Sequence, residues 1–182
     1  MSDKHWTERE GFIRKETYDS YFPKLVINFD GEFDEPMYFR KLISEIKNTD
    51  EKTVIEFVLN TPGGRTDTLV SILDALDTTK AKKVSHIHDA SSCGSILALA
   101  CDEVNVAKFG EMFIHSFQWG SGYGPVANHE NRFKSSVENM KLIFNEYYKG
   151  FLSDSEIQDV INGKEFWLNA SEIKKRLKNR KK

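Results

Sequence analysis

The sequence predicts an α/β fold built as layered βα repeats around one core. Two observations carry this prediction. Short apolar segments rich in β-branched residues alternate with segments whose apolar residues recur at helical spacing. The strand candidates stop at turn signals or at small polar residues. The size agrees: 182 residues, 39% hydrophobic and 30% charged, are enough for one domain with a real core and too few for two.

Residues 1–22 are polar and of mixed charge, and read as an N-terminal arm that is weakly ordered or ordered only by a partner. The domain proper is expected over 23–173. Lys24–Phe29 is a strand closed by Asp30-Gly31. Pro36–Lys47 is a helix, with Phe39, Leu42, Ile43 and Ile46 on one side. Thr53–Asn60 is a β-branched, buried-type strand that stops at Thr61-Pro62-Gly63-Gly64. Thr66–Asp77 is the next helix, through Leu69, Ile72, Leu73 and Leu76. Lys83–His88 is a strand, and Ser92–Asp102 is a helix apolar nearly all round and therefore buried.

Val104–Ala107 and Glu111–His115 are short strands, followed by a Gly-rich loop at 120–124. One long helix spans 128–150, with Phe133, Val137, Met140, Ile143 and Phe144 along one side. Ser153 with Glu156 three positions on is a capping box for a helix to Ile161. Trp167–Ala170 leads into a last helix. Residues 174–182 are a basic tail, whose plain reading is a solvated, frayed end. The chain has no internal repeats.

Several function classes drop out. A net charge of −2 argues against a general nucleic-acid binder. No apolar run approaches a membrane span, and the N-terminus carries no apolar signal region. On one helix, Cys93 and Cys101 would lie about 12 Å apart at the usual rise, too far for a disulfide. These features fit a reducing cytoplasm.

The chemistry-bearing residues fall into two stretches, Asp89–Ala100 and Glu111–Ser116. In the first, small residues give way abruptly to an apolar run, the look of a tight strand-to-helix turn with Ser92 at its tip. Ala90 stands where a full G-x-S-x-G elbow has its first glycine, Ser91 and Ser95 compete, and a serine here is on its own more often a helix cap. In the second, His115 closes an apolar strand. A serine hydroxyl needs a base to become a nucleophile, and His is the usual one. A solitary His is otherwise a packed residue.

Pro62-Gly63-Gly64 can expose backbone N–H groups to a developing oxyanion, or be only a βα turn. Glu165 is the candidate acid to orient His115, although a lone glutamate there is usually surface. A rival constellation, His86 and His88 at i, i+2 with Asp89 or His129, could ligate a metal, but no further ligand spacing completes it. Gly120-Ser121-Gly122-Tyr123-Gly124 lacks the Lys-Ser/Thr of a phosphate loop.

Taken together, these residues resemble the Clp protease proteolytic subunit family, ClpP, from about Lys24 to Glu172. Asn60-Thr61-Pro62-Gly63-Gly64 is similar to its N-S-P-G-G oxyanion segment. Ala90-Ser91-Ser92-Cys93-Gly94-Ser95 is similar to its A-A-S-M-G-A nucleophile turn, and Met112-Phe113-Ile114-His115 to its strand ending M-I-H. Glu165–Ile173 aligns with the family's D-R-x-F-x-S-A-x-E-A or a close variant, so Glu165 stands where the family usually has Asp. Asp159 is the fallback.

The resemblance implies a ClpP/crotonase-type fold whose long helix protrudes as a handle. It implies a self-compartmentalised serine endopeptidase with Ser92 as nucleophile, His115 as base and Glu165 as orienting acid. The backbone N–H groups of Gly64 and Cys93 would form the oxyanion hole, and Gly63, Gly120, Gly122 and Tyr123 would bind substrate. No cofactor or metal is called for. The implied partners are further copies of the chain in heptameric rings, two of them stacked, peptide or unfolded-protein substrates, and an AAA+ unfoldase.

Three departures stand out. The N-terminal arm does not match the family's axial loop, Asp89 adds charge beside the turn, and the family's last strand is missing after Glu172. They motivate one alternative, a catalytically inactive ring subunit or modulator. A crotonase-type acyl-CoA enzyme is another, and would not need the Ser92–His115 pair.

Overall fold

A computed structural model describes residues 5–8, 12–18, 22–118 and 126–180. Its centre is a six-stranded sheet in the order β1-β2-β3-β4-β5-β6. Strand β1 (Ile13–Tyr18) runs antiparallel to β2 (Phe22–Phe29). Strands β2, β3 (Val54–Thr61), β4 (Lys82–Ser91) and β5 (Glu103–Ile114) are parallel. Strand β6 (Phe166–Asn169) is antiparallel to β5. Parallel neighbours need crossovers, and helices supply them: α1 (Arg40–Lys47), α2 (Thr66–Thr78) and α3 (Cys93–Ala100). The expected α/β class is the observed one.

The core forms where these helices cover the sheet. Ile27, Phe29, Ile55, Phe57, Leu59 and Ile87 from the strands are sealed by Leu42, Ile46, Leu69, Ile72 and Leu97 from the helices. Helix α3 buries all of Cys93 through Leu99, as an all-apolar helix must. Helix α4 (Val126–Tyr147) is seated by its second half, through Met140 and Phe144. Residues 130–135 are exposed on every face, so the helix protrudes as expected. No described helix is long and apolar enough to cross a membrane.

Three differences from the sequence reading have physical causes. The expected arm is partly built in. Ile13–Tyr18 is the edge strand, and Trp6 packs edge-on against Phe12, Phe29 and Phe39 at ring distances of 4.7, 5.0 and 5.6 Å. Its charged residues, suited to an edge strand, hide the alternation. The two short strands expected around 104–115 are one strand. Between the Ile87↔Val106 and Asp89↔Glu111 pairs its register shifts, and Phe109 stands 86% exposed.

The basic tail is not frayed through Arg180. Helix α6 (Ala170–Asn179) starts at an Asn169–Glu172 capping box. Arg176 grips Glu156 on α5 (Asp154–Ile161) with two hydrogen bonds of 2.9 and 2.7 Å, and Arg180 donates to the Tyr147 carbonyl at 3.1 Å.

Candidate active site

Strand β4 delivers Ser92 to the head of α3 at φ 54°, ψ −119°, and Ser92 is the one non-glycine with positive φ among the described residues. Such a conformation costs on the order of 1–3 kcal/mol and persists only where its surroundings over-determine it. Here they do. The Ser92 N–H donates to the Phe113 carbonyl at 2.8 Å, tying the turn to β5. The Ser92 carbonyl accepts from the Ser95 N–H at 3.0 Å and from Ser95 Oγ at 2.6 Å. Ser95 Oγ is bonded in turn to the fully buried Tyr148 hydroxyl at 2.7 Å, just past α4. Burial holds that phenol well above its ordinary value, so it stays a neutral hydrogen-bonding group.

The three serines of the turn are thereby told apart. Ser95 is fully buried and spends its hydroxyl inside the fold, and Ser91 Oγ donates to Asp89 Oδ1 at 2.7 Å. Ser92 lines a cleft. The neighbouring Cys93 is no rival nucleophile. Burial pushes its thiol up to about 12, so it is protonated at neutral pH.

The Gly63-Gly64 segment follows β3 and lies against this turn. Gly63 sits at φ +96°, and a Cβ there would fall 2.4 Å from Ser92 Cβ, so only glycine fits. Its carbonyl accepts from the Phe33 N–H at 2.8 Å, and the Arg65 N–H, two residues on, donates to the Phe33 carbonyl at 2.6 Å. The Gly64 N–H between them donates to no backbone carbonyl among the described residues. Cys93 is the first residue of α3, so its N–H is one of those a helix leaves without an internal acceptor.

His115 follows directly after β5, half-buried, its ring stacked on Phe113 at 4.8 Å. Phe113 stacks on Trp167 of β6 at 3.8 Å, in the register that pairs the two strands. Glu165 precedes β6 and is exposed. Ser92, His115, Glu165 and Gly64 all line one cleft of about 320 Å³, with Pro62, Thr66, Phe113, Phe117 and Gln118. Among the described residues no hydrogen bond joins Ser92 to His115 or His115 to Glu165. Asp159, the fallback acid, is not in this cleft and is paired with Lys164 at 2.9 Å.

The expected substrate residues Gly120, Gly122 and Tyr123 lie outside the described residues. Among those described, no group of three or more His, Cys, Asp or Glu side chains is arranged to hold a metal; His86 instead lies 4.0 Å from Glu56. A larger groove of about 1110 Å³ runs among Asp77, Lys83, Asp102, Tyr147 and Arg180, and none of the candidate residues lines it.

Over residues 14–176 the sequence matches the family described as Clp protease. The chain belongs to the Clp protease family. The matched span begins in β1 and ends in α6, so it takes in the whole sheet and the cleft. Membership makes this α/β protein ClpP-like and places it among peptidases. No match was found among curated proteins.

Sequence reasoning did not single out three features that the structure sets beside this cleft. Thr61 and Tyr148 look like ordinary strand-end and helix-end residues, and their roles depend on partners about thirty and fifty positions away. The Trp167–Phe113–His115 stack needs β6, whose four residues are too few for a periodic signal.

Proposed function

We propose that this chain is a serine endopeptidase. The observation that carries the proposal is the left-handed Ser92 at the head of α3, lining the same cleft as His115, Glu165 and Gly64. In this reading Ser92 Oγ attacks a peptide carbonyl while His115 accepts its proton, and His115 then protonates the leaving amine. Glu165 orients the imidazole and stabilises its charged form. The Gly64 and Cys93 N–H groups receive the oxyanion, in a site where each such donor is worth on the order of 100- to 1,000-fold in rate. The reaction needs no metal or nucleotide on this chain. Assembly into heptameric rings, in a stacked pair, with unfolded chains delivered by an AAA+ unfoldase, extends the reading from the family.

A second reading is a ring subunit without turnover. It is favoured by Glu165, which is exposed and makes no hydrogen bond to His115. Hydrolysis of fluorogenic peptides by wild type, Ser92→Ala, His115→Ala and Glu165→Gln separates the two. The peptidase reading expects turnover in wild type and a fall of at least about 1,000-fold in the first two variants. A wild type that assembles into rings but does not turn over would favour the second reading. Peptide turnover surviving Ser92→Ala would exclude Ser92 as the nucleophile; the acyl-CoA class predicts instead CoA-ester binding, with activity that survives Ser92→Ala.

A further inference from the structure

We infer that Thr61 is a positioning residue of the oxyanion hole, its hydroxyl fixing the direction of the Gly64 N–H. The inference rests on the peptidase reading above and adds to it a residue that touches neither substrate nor nucleophile.

A glycine can turn about φ and ψ at little steric cost, so the peptide that follows it, Gly63 C=O with Gly64 N–H, has no intrinsic direction. In this protein both peptide groups flanking the Gly63 Cα are pinned. On the far side the Gly63 carbonyl is held by the Phe33 N–H at 2.8 Å. A trans peptide is planar, so a carbonyl held on one side sends the Gly64 N–H to the other.

On the near side the Gly63 N–H donates to Thr61 Oγ1 at 3.1 Å, and that hydroxyl donates onward to the Gly31 carbonyl at 2.6 Å. Thr61 is fully buried, so water cannot stand in for the hydroxyl. Its methyl faces the other half of the site. A Cβ on Gly94, next to Cys93, would fall 2.5 Å from Thr61 Cγ2. Thr61 thus touches the turn on both sides, at Gly63 and at Gly94, and supplies one of the two clamps that hold Gly63 at φ +96°. Without the hydroxyl, the φ side of Gly63 is released and the Gly64 N–H loses its aim. Donors lower a barrier only when preorganised toward the developing charge, so the loss falls on the chemical step.

The test compares Thr61→Val, which keeps the shape and removes the hydroxyl, with Thr61→Ser, which keeps the hydroxyl. Peptide kcat and KM, the rate of fluorophosphonate labelling and the melting temperature are read on each, below the lowest melting point. The expected result is a kcat lowered about 10- to 100-fold in Thr61→Val at little-changed KM, labelling slowed in parallel, and Thr61→Ser within about threefold of wild type. If the valine variant does not fold, the smaller Thr61→Ala carries the same deletion. Three results would overturn the inference: a folded hydroxyl-free variant with wild-type kcat, a loss confined to KM, or failure of both hydroxyl-free variants to fold, which would make the hydroxyl a structural group. A wild type that does not label at Ser92 would overturn the peptidase reading itself, and the inference with it.

Discussion

Ser92 and Gly63 define each other's conformation. One is a non-glycine at φ 54°, the other a glycine at φ +96° whose missing Cβ leaves the space that Ser92 Cβ fills. Gly63→Ala therefore has two faults, a backbone that L side chains rarely adopt and a clash at 2.4 Å. We expect about 2 kcal/mol or more of lost stability in denaturant unfolding, and peptide turnover down at least about 100-fold. Much of this was legible in the sequence. A double glycine after a buried strand, a small-residue turn before an apolar helix and a His at a strand end name Gly63, Gly64, Ser92 and His115. The turn left Ser91 and Ser95 as competitors and the family resemblance chose Ser92; what separates the three in the fold was not legible. It depends on Asp89 and Tyr148 taking up the other two hydroxyls, and Tyr148 lies on a distant element.

Strands β5 and β6 act together on His115. Phe113 and His115 point the same way because they are two positions apart on an extended chain, and the antiparallel register sets Trp167 across from Phe113. The outer ring, Trp167, is 68% exposed, so its removal empties no core. Trp167→Ala should lower kcat about 10-fold at little-changed KM and leave the melting temperature within a few degrees, while Trp167→Phe should retain most of the activity. An unchanged kcat in the alanine variant would show that the stack does not position the imidazole.

Elements differ in how much of this the sequence reveals. The buried parallel strands and the amphipathic helices declare themselves through runs and spacing. β1 and β6 do not, because an edge strand of charged residues and a four-residue strand carry too little pattern.

At the scale of the whole molecule, the C-terminal helix is fastened to the body by charge as well as by packing. The Arg176 guanidinium, donating twice to Glu156, holds that carboxyl down from an ordinary 4.5 to about 2, helped by the Ser153 N–H. A carboxyl whose folded pKa is depressed adds stability that is complete above its unfolded pKa and is lost as pH falls through the folded one. The contribution should therefore be full at neutral pH and fade between about 4.5 and about 2. Glu156→Gln should cost about 1 kcal/mol at pH 7, between the values for exposed and buried charged pairs. The gap between variant and wild type should close toward pH 2, as read by urea unfolding at each pH; a gap that stayed constant across that range would deny the pair its role.

A run of lysines and arginines reads as a solvated end until the partners across the fold are known, which is why this fastening was invisible in the sequence.

The claim on which the rest depends is that Ser92 is an assembled nucleophile, and the most direct measurement is reaction with a fluorophosphonate probe followed by intact-protein mass. An assembled Ser92 gives one adduct on wild type and none on Ser92→Ala. A folded wild type that takes up no probe, or an adduct that persists in Ser92→Ala, would contradict it.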